Sequence, residues 1–368
     1  ASDVYKRQDM DFATAPFVTD AIRKRCENEV LGYTGKPDSY YNAIINWVKQ
    51  RYDLIVTKEV INFVPGIVPG IGMAMNCFTQ KGDKVMIQPP VYHPFAWVTT
   101  RNERTLVINP LKWENGMYRM DLDAFREQIK GCKLFILCNP HNPGGVVWTE
   151  AELRAIADIC YDEKVLVFSD EIHADLTLPP HTHRPFATVS EKARMNSVTF
   201  MSPSKAFNMP GLSASHALIF NEDLRKRFRI YMDAGELDMG HVFAFLSVEA
   251  AYSHGTEWLD QCLAYIQGNI DFVDEFLKKH APKIKAIRPE ASYLVWLDCR
   301  ELELSQKDLN EFFVDKAHLA LNDGEMFGKE GIGFMRLNVA SPRCIIEKAM
   351  KQLADAYPVS YTHLTLPT

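Results

Sequence analysis

Ser202-Pro203-Ser204-Lys205-Ala206-Phe207-Asn208-Met209-Pro210-Gly211 follows directly on an apolar, β-branched run at 197–201. A lysine just past a buried strand is an unusual placement, because an isolated ammonium is costly to take out of water. Held neutral in such a place, the amine of Lys205 attacks carbonyls and forms Schiff bases. Ser202 and Ser204 flank it with hydroxyls suited to phosphate oxygens. Alone, the decapeptide also reads as a polar surface loop; its neighbours in the chain decide between the two.

Those neighbours are further strand ends. Apolar runs at 60–64, 84–88, 105–108, 133–138, 165–169, 197–201 and 216–220 alternate with helical patterns. Asp121 caps a helix with Leu122, Phe125 and Ile129 on one face, and Thr149 with Glu152 forms a capping box ahead of Leu153, Ile156 and Cys160. Buried strands alternating with helices predict an α/β fold with a mostly parallel sheet covered on both faces. In such sheets, ligands bind beyond the carboxyl ends of the strands. Ser169-Asp170-Glu171-Ile172-His173 places an acid at one such end. Asn139-Pro140-His141-Asn142-Pro143-Gly144-Gly145 forms a tight turn at another. Pro65-Gly66-Ile67-Val68-Pro69-Gly70 leads into a helix whose first N–H groups can face an anion, although Pro69 removes one donor. Pro89-Pro90-Val91-Tyr92 brings an aromatic ring that can stack on a flat molecule. Each piece has an ordinary structural reading by itself; together they converge on one crevice.

Past residue 222 the pattern changes to long helices, at 223–266 and 269–279, then a strand at 293–297, a helix near 307–316, a strand at 333–338 and a last helix over 345–357. This predicts a second, smaller α+β unit. Residues 1–8 and 358–368 lack the surrounding patterns and read as foreign tails. The expected organisation is therefore an N-terminal segment (9–35) joining the small unit, a large ligand-binding domain (36–265) and a small C-terminal domain (266–357).

Composition limits the functional classes. A 47% hydrophobic and 24% charged chain of 368 residues with a formal charge of −6 has no basic excess for nucleic acid. No uncharged apolar stretch of about 18 residues suggests a membrane span. The eight cysteines are scattered without a CxxC pair and read as reduced residues of a cytoplasmic protein. His181 and His183 read as loop residues in preference to metal ligands.

The series Gly-rich loop, Tyr92, Asn142, Asp170, Lys205, Arg336 resembles the class I/II aminotransferase superfamily. Asp9-Met10-Asp11-Phe12, Leu31-Gly32-Tyr33-Thr34, Ser169-Asp170-Glu171-Ile172-His173-Ala174-Asp175-Leu176, Tyr293-Leu294-Val295-Trp296-Leu297-Asp298 and Phe334-Met335-Arg336-Leu337-Asn338 resemble its cystathionine β-lyase, or C–S lyase, branch over residues 9–357. The resemblance implies the pyridoxal-phosphate-dependent aspartate-aminotransferase-like fold (fold type I) and pyridoxal 5'-phosphate as cofactor. Lys205 would carry it as a Schiff base, Asp170 would pair with its pyridine nitrogen, and Asn142 would contact its phenolic oxygen with His173 close by. Tyr92 would stack on the ring. Ser202, Ser204 and the N–H groups of Ile67 and Val68 would hold the phosphate, and Arg336 the α-carboxylate of an amino-acid substrate. Tyr33 would reach a partner subunit's site, making a homodimer the working unit. Many aminotransferases have a phosphate-binding arginine eight residues after the lysine; Ser213 stands there in this chain, which leans toward the lyase branch and leaves the phosphate charge without its usual partner. The implied reaction is β-elimination from L-cystathionine or related cysteine S-conjugates in methionine biosynthesis. Transamination of an L-amino acid is the alternative, and a pyridoxal-phosphate-binding regulator a more distant one.

Overall fold

The computed structural model describes residues 9–362, with side chains described through Tyr357. The segments 1–8 and 363–368, part of the expected foreign tails, lie outside the described residues. Thirteen strands occur among the described residues: β1 (Ile61–Val64), β2 (Lys84–Ile87), β3 (Thr105–Ile108), β4 (Lys112–Glu114), β5 (Met117–Arg119), β6 (Cys132–Cys138), β7 (Leu166–Asp170), β8 (Ser197–Met201), β9 (Ser215–Leu218), β10 (Lys285–Ile287), β11 (Leu294–Asp298), β12 (Asn322–Asp323) and β13 (Phe334–Asn338). Seven of them build one sheet in the order β1-β9-β8-β7-β6-β2-β3. Its pairs are parallel except where β9 runs antiparallel to β1 and β8.

The central strands are continuous apolar runs because helices cover both faces. In β6, Leu134 to Leu137 are essentially inaccessible, as are Val198 and Phe200 in β8. Burying each such large side chain is worth about 1.5–3 kcal/mol relative to exposure. Helix Ile67–Phe78 packs on one face, where Gly70 brings the helix against the sheet: a Cβ there would lie 2.9 Å from Val64 and 3.1 Å from Phe200. Helix Glu150–Asp162 covers the other face and starts with the expected capping box of Thr149 and Glu152. Asp121 caps helix Leu122–Gln128 by accepting from the Ala124 N–H.

The second sheet has the order β10-β11-β13-β12, all antiparallel. Its helical surroundings correct the sequence boundaries. The expected helices at 223–266 and 269–279 are three: Glu222–Ala234, Val242–His254 and Thr256–His280. The break falls at Gly255, where a Cβ would lie 2.2 Å from the Ala251 carbonyl and 2.3 Å from Phe207. Leu259, Cys262, Leu263, Ile266, Ile270, Val273 and Leu277 then form one buried stripe that carries the helix through Gly268. The helix expected near 307–316 is a short α-helix, Gln306–Glu311, continuing as a π-turn, Phe312–Lys316. The last helix, Arg343–Thr362, continues beyond residue 357, where the sequence pattern fades.

Two junctions tie the sheets together. Residues 9–12 lie between the Lys205 turn and the end of β13: the Asn208 side chain bonds the backbone of Met10 and Phe12, and the Asp11 N–H donates to the Ala340 carbonyl at 2.8 Å. At the second, the Gly145 carbonyl accepts from the N–H groups of Glu290 and Ala291 at 2.8 and 3.1 Å. Gly145 has φ +67°, and a Cβ on it would meet Pro289 at 2.5 Å. Gly145→Ala is therefore expected to lower the unfolding free energy by about 1–3 kcal/mol, read as a drop in the thermal or denaturant midpoint. An unchanged midpoint would contradict this close approach.

Candidate active site

Register brings the chemistry to one edge. Cys138 pairs with Asp170, and Asp170 with Phe200, so β6, β7 and β8 end side by side. Val64 pairs with Ser215, which puts the end of β1 and the start of β9 on the same edge. The loops that follow enclose a cavity of about 200 Å³. Ile67 and Val68, Tyr92, Asn142, Asp170, His173, Ser204 and Lys205 all line it.

Lys205 lies in a helical turn closed by the Phe207 N–H to the Pro203 carbonyl and the Met209 N–H to the Ser204 carbonyl, both 2.9 Å. Asn208, at φ +51°, reverses the chain after it. The Lys205 Nζ is 2.8 Å from Asp9 Oδ1. Asp170 is 3% exposed, and its Oδ1 accepts from the Ile172 N–H at 3.1 Å. Burial first, and then the negative charge of Glu171, push its carboxyl up to about 7, against the opposing pull of that N–H and of Lys205. A buried acid in this state gains most from a cation placed against it. Burial, with the charges of Lys205 and Arg336, holds the His173 imidazole down at about 3, so it is neutral near pH 7, and its buried Nδ1 has no partner among the described residues.

Behind Asp170, Glu171 is spent internally. Its carboxylate accepts from the Ser169 hydroxyl and the Phe186 N–H and meets His183 Nε2, each at 2.8 Å. His183, read from sequence as a loop residue, is buried in this network. These bonds pin the 169–173 turn and so the direction of Asp170.

Arg336 is fully buried in the middle of β13. It donates from Nη1 to Asn142 Oδ1 and from Nη2 to Asn322 Oδ1, both at 2.8 Å, and lies over the Phe327 ring at 4.6 Å. Its Nε has no hydrogen-bond partner among the described residues. Burial pushes the guanidinium down to about 9, which leaves it cationic at neutral pH. Because Asn142 accepts through its oxygen, its amide N–H₂ group is the end left for the cavity. Arg336 thus stands behind Asn142 and does not itself line the cavity.

Ser202 and Tyr33 also lie off the cavity wall. The Ser202 hydroxyl donates to the Ala214 carbonyl at 2.8 Å, accepts from the Ser204 N–H at 3.1 Å and sits 2.9 Å from the Ser204 hydroxyl. Tyr33 is 96% exposed, beside the exposed Val30 and Leu31. Sequence reasoning assigned no role to Asp9, Asn208, Asn322 or Ser215. Asn322 becomes relevant only through the cross-strand register that sets it against Arg336, which no local pattern encodes. Asn208 carried a usable signal, since asparagine tolerates the left-handed backbone found there.

The family model "Aminotransferase class I and II" matches residues 6–353. This chain belongs to that family. Among its members, the chain is 37% identical over 350 residues to cystathionine beta-lyase PatB of Bacillus subtilis, covering 95% of this chain and 90% of that protein. It is 30% identical to protein MalY of Escherichia coli at the same coverages. Cystalysin from Treponema denticola, whose crystal structure contains pyridoxal 5'-phosphate, superposes with a TM-score of 0.94 at 34% identity over 96% of this chain and 91% of that one. The pyridoxal-phosphate-bound C–S lyase of Staphylococcus hominis gives 0.89 at 34% identity over 96% and 90%. The α/β architecture is thus that of the pyridoxal-phosphate-dependent aminotransferase fold.

For this aminotransferase-family chain, Asp170 gives a pH test. The folded carboxyl at about 7 lies above its ordinary 3.8. Between those values the folded state binds more protons than the unfolded one, so stability falls as pH rises through that window and levels off above it. In protein freed of bound small molecules, the Tm advantage of Asp170→Asn over the parent is expected to grow from pH 4 to pH 7. A constant difference across that range would contradict a buried, cation-seeking acid.

Proposed function

We propose that this chain is a pyridoxal-phosphate-dependent C–S β-lyase that cleaves L-cystathionine or related cysteine S-conjugates, with water, to pyruvate, ammonia and a thiol. The observation that carries the reading is the convergence of Lys205, Asn142 and the buried acid Asp170 on one cavity, in a chain 37% identical to a cystathionine beta-lyase.

The residues present fit the cofactor. Asp170 would face its ring nitrogen, where a positive charge relieves the burial of the carboxylate. The free amide end of Asn142 and, in its Nδ1–H tautomer, His173 would donate to its phenolic oxygen, Tyr92 would stack on its ring, and Lys205 would hold it covalently. Ser204, supported by Ser202, and the N–H groups of Ile67 and Val68 would bind its phosphate at the start of helix Ile67–Phe78. Ser213 and Ser215 add hydroxyls to the same wall, in the region where many relatives have an arginine. When bound, the cofactor supplies an electron sink for the charge left on the substrate Cα.

The chain's own groups carry the remaining work. Arg336, fixed by Asn142 and Asn322, would bind the substrate α-carboxylate as a bidentate pair. Its buried setting makes that charge-assisted contact stronger than it would be in water. Lys205 Nζ, freed by the incoming amino group, would take the Cα proton and could pass one to the departing sulfur. Loss of the thiol leaves an unsaturated amine that water converts to pyruvate and ammonia.

Several finer assignments belong to the same reading. The exposed Val30, Leu31 and Tyr33 support a homodimer in which Tyr33 enters the other subunit's site. The eight unpaired cysteines support a cytoplasmic location. Release of homocysteine from cystathionine would place the enzyme in methionine biosynthesis. The units 9–35, 36–265 and 266–357 remain our working division, with helix Thr256–His280 running across its second boundary.

Incubation with L-cystathionine and no keto acid is expected to release thiol and pyruvate in equal amounts; turnover only when a keto acid is added would replace the lyase reading with an aminotransferase. Purified protein should absorb near about 410–430 nm, and Lys205→Ala should lose that band together with activity. Arg336→Lys, which keeps the charge but loses the planar fork, should lower kcat/KM by about 10- to 1,000-fold. A near-parental value would remove Arg336 from substrate binding.

A further inference from the structure

The proposed chemistry moves a positive charge on and off Lys205 Nζ and so calls for a counter-charge. Asp9 supplies one at 2.8 Å. Its segment is built to hold it there. The Asp9 carbonyl accepts from Asn338 Nδ2 at 2.7 Å, and the Met10 N–H and carbonyl are both bonded by the Asn208 side chain, at 3.2 and 3.0 Å. The Thr14 hydroxyl donates to the Asn208 carbonyl at 2.7 Å, and Asp11 is bonded by the Ser341 hydroxyl and by its own N–H to Ala340. Met10 is 5% exposed. The strap is therefore fastened on one side to the residue three positions after the lysine and on the other to the strand that carries Arg336.

We infer that Asp9 is a positioning residue whose carboxylate is the counter-charge for Lys205 Nζ, holding that nitrogen in its cationic form and in place whenever it carries a proton. This rests on the lyase reading above and deepens it. A carboxylate at this distance stabilises the lysine after it has taken the Cα proton, and so favours proton removal. The other charges facing Lys205 do different work. Asp170 and His173 sense it from β7 and the turn that follows, but Asp170 is committed to the cofactor ring and His173 is neutral. Tyr92 and Tyr293 sense Asp9 itself, and burial raises both phenols, keeping them uncharged. Arg336, from β13, is a cation and acts with Lys205 on His173, where both lower the imidazole.

The test uses the holoenzyme and a readout separate from turnover. Protonation of the lysine–cofactor linkage sets its absorption band, so a pH titration of the band near about 410–430 nm reports the charge on that nitrogen. Asp9→Asn is expected to move the midpoint to lower pH, so that about two- to fivefold less proton affinity remains, the scale of a partly exposed ion pair. Asp9→Glu should restore most of the shift. Asn208→Ala, which loosens the strap but keeps the carboxylate, should give a smaller shift in the same direction. Thermal midpoints of Asp9→Asn and the parent should agree, since a merely structural strap would change stability and leave the titration alone. An Asp9→Asn midpoint equal to the parent's overturns the inference. Absence of any Lys205-dependent band instead overturns the cofactor reading, so the two failures are distinguishable.

Discussion

A carboxyl group sealed at the end of β7, with burial pressing it toward the protonated form, is the constraint around which the site is arranged. Asp170 is held there by strand register on both sides and by the Ile172 N–H. Behind it, the Glu171 carboxylate is fully occupied by Ser169, His183 and the Phe186 N–H. The surroundings thus add the negative charge of Glu171 next to an already desolvated acid, with the Ile172 N–H and Lys205 pulling the other way. In a protein made only to be stable, such an acid would be a defect; beside a cavity it is stored affinity for a positively charged group.

The second organising feature is the way two sheets meet over that acid. Arg336 rises from the middle of an antiparallel sheet, yet its guanidinium bonds Asn142 from a loop of the parallel one. The same asparagine therefore orients the arginine with its oxygen and offers its nitrogen to the cavity. The 9–12 strap repeats this logic on the opposite side, bonding Asn208 next to the lysine and Asn338 two residues after the arginine. Arg336 and Lys205 are consequently linked through a few short polar contacts, and a shift of one sheet relative to the other is felt at both.

Another part of the cavity wall is built from Ser204, Ser213 and Ser215 and from the residues that open helix Ile67–Phe78. The Ser202–Ser204–Ala214 bonds make this an internally supported set. Ser202 shapes it from behind through Ser204.

Local pattern was sufficient for the strands of the large sheet, for the Thr149 capping box and for the set Lys205, Asp170 and Asn142, because each depends on residues near one another in the chain: a buried run, a cap, a turn at a strand's end. It also suggested the family, since those motifs occur together in one order. Helix breaks after residue 222 were misplaced because they depend on which residues pack against Phe207 and the core, and Gly255 shows its purpose only beside that ring. The partners of Arg336, the inward turn of Ser202 and the approach of Asp9 to Lys205 were decided by tertiary structure alone. They join positions between 12 and 196 residues apart, and no periodicity or spacing carries information about which distant polar groups a fold will bring within hydrogen-bonding distance.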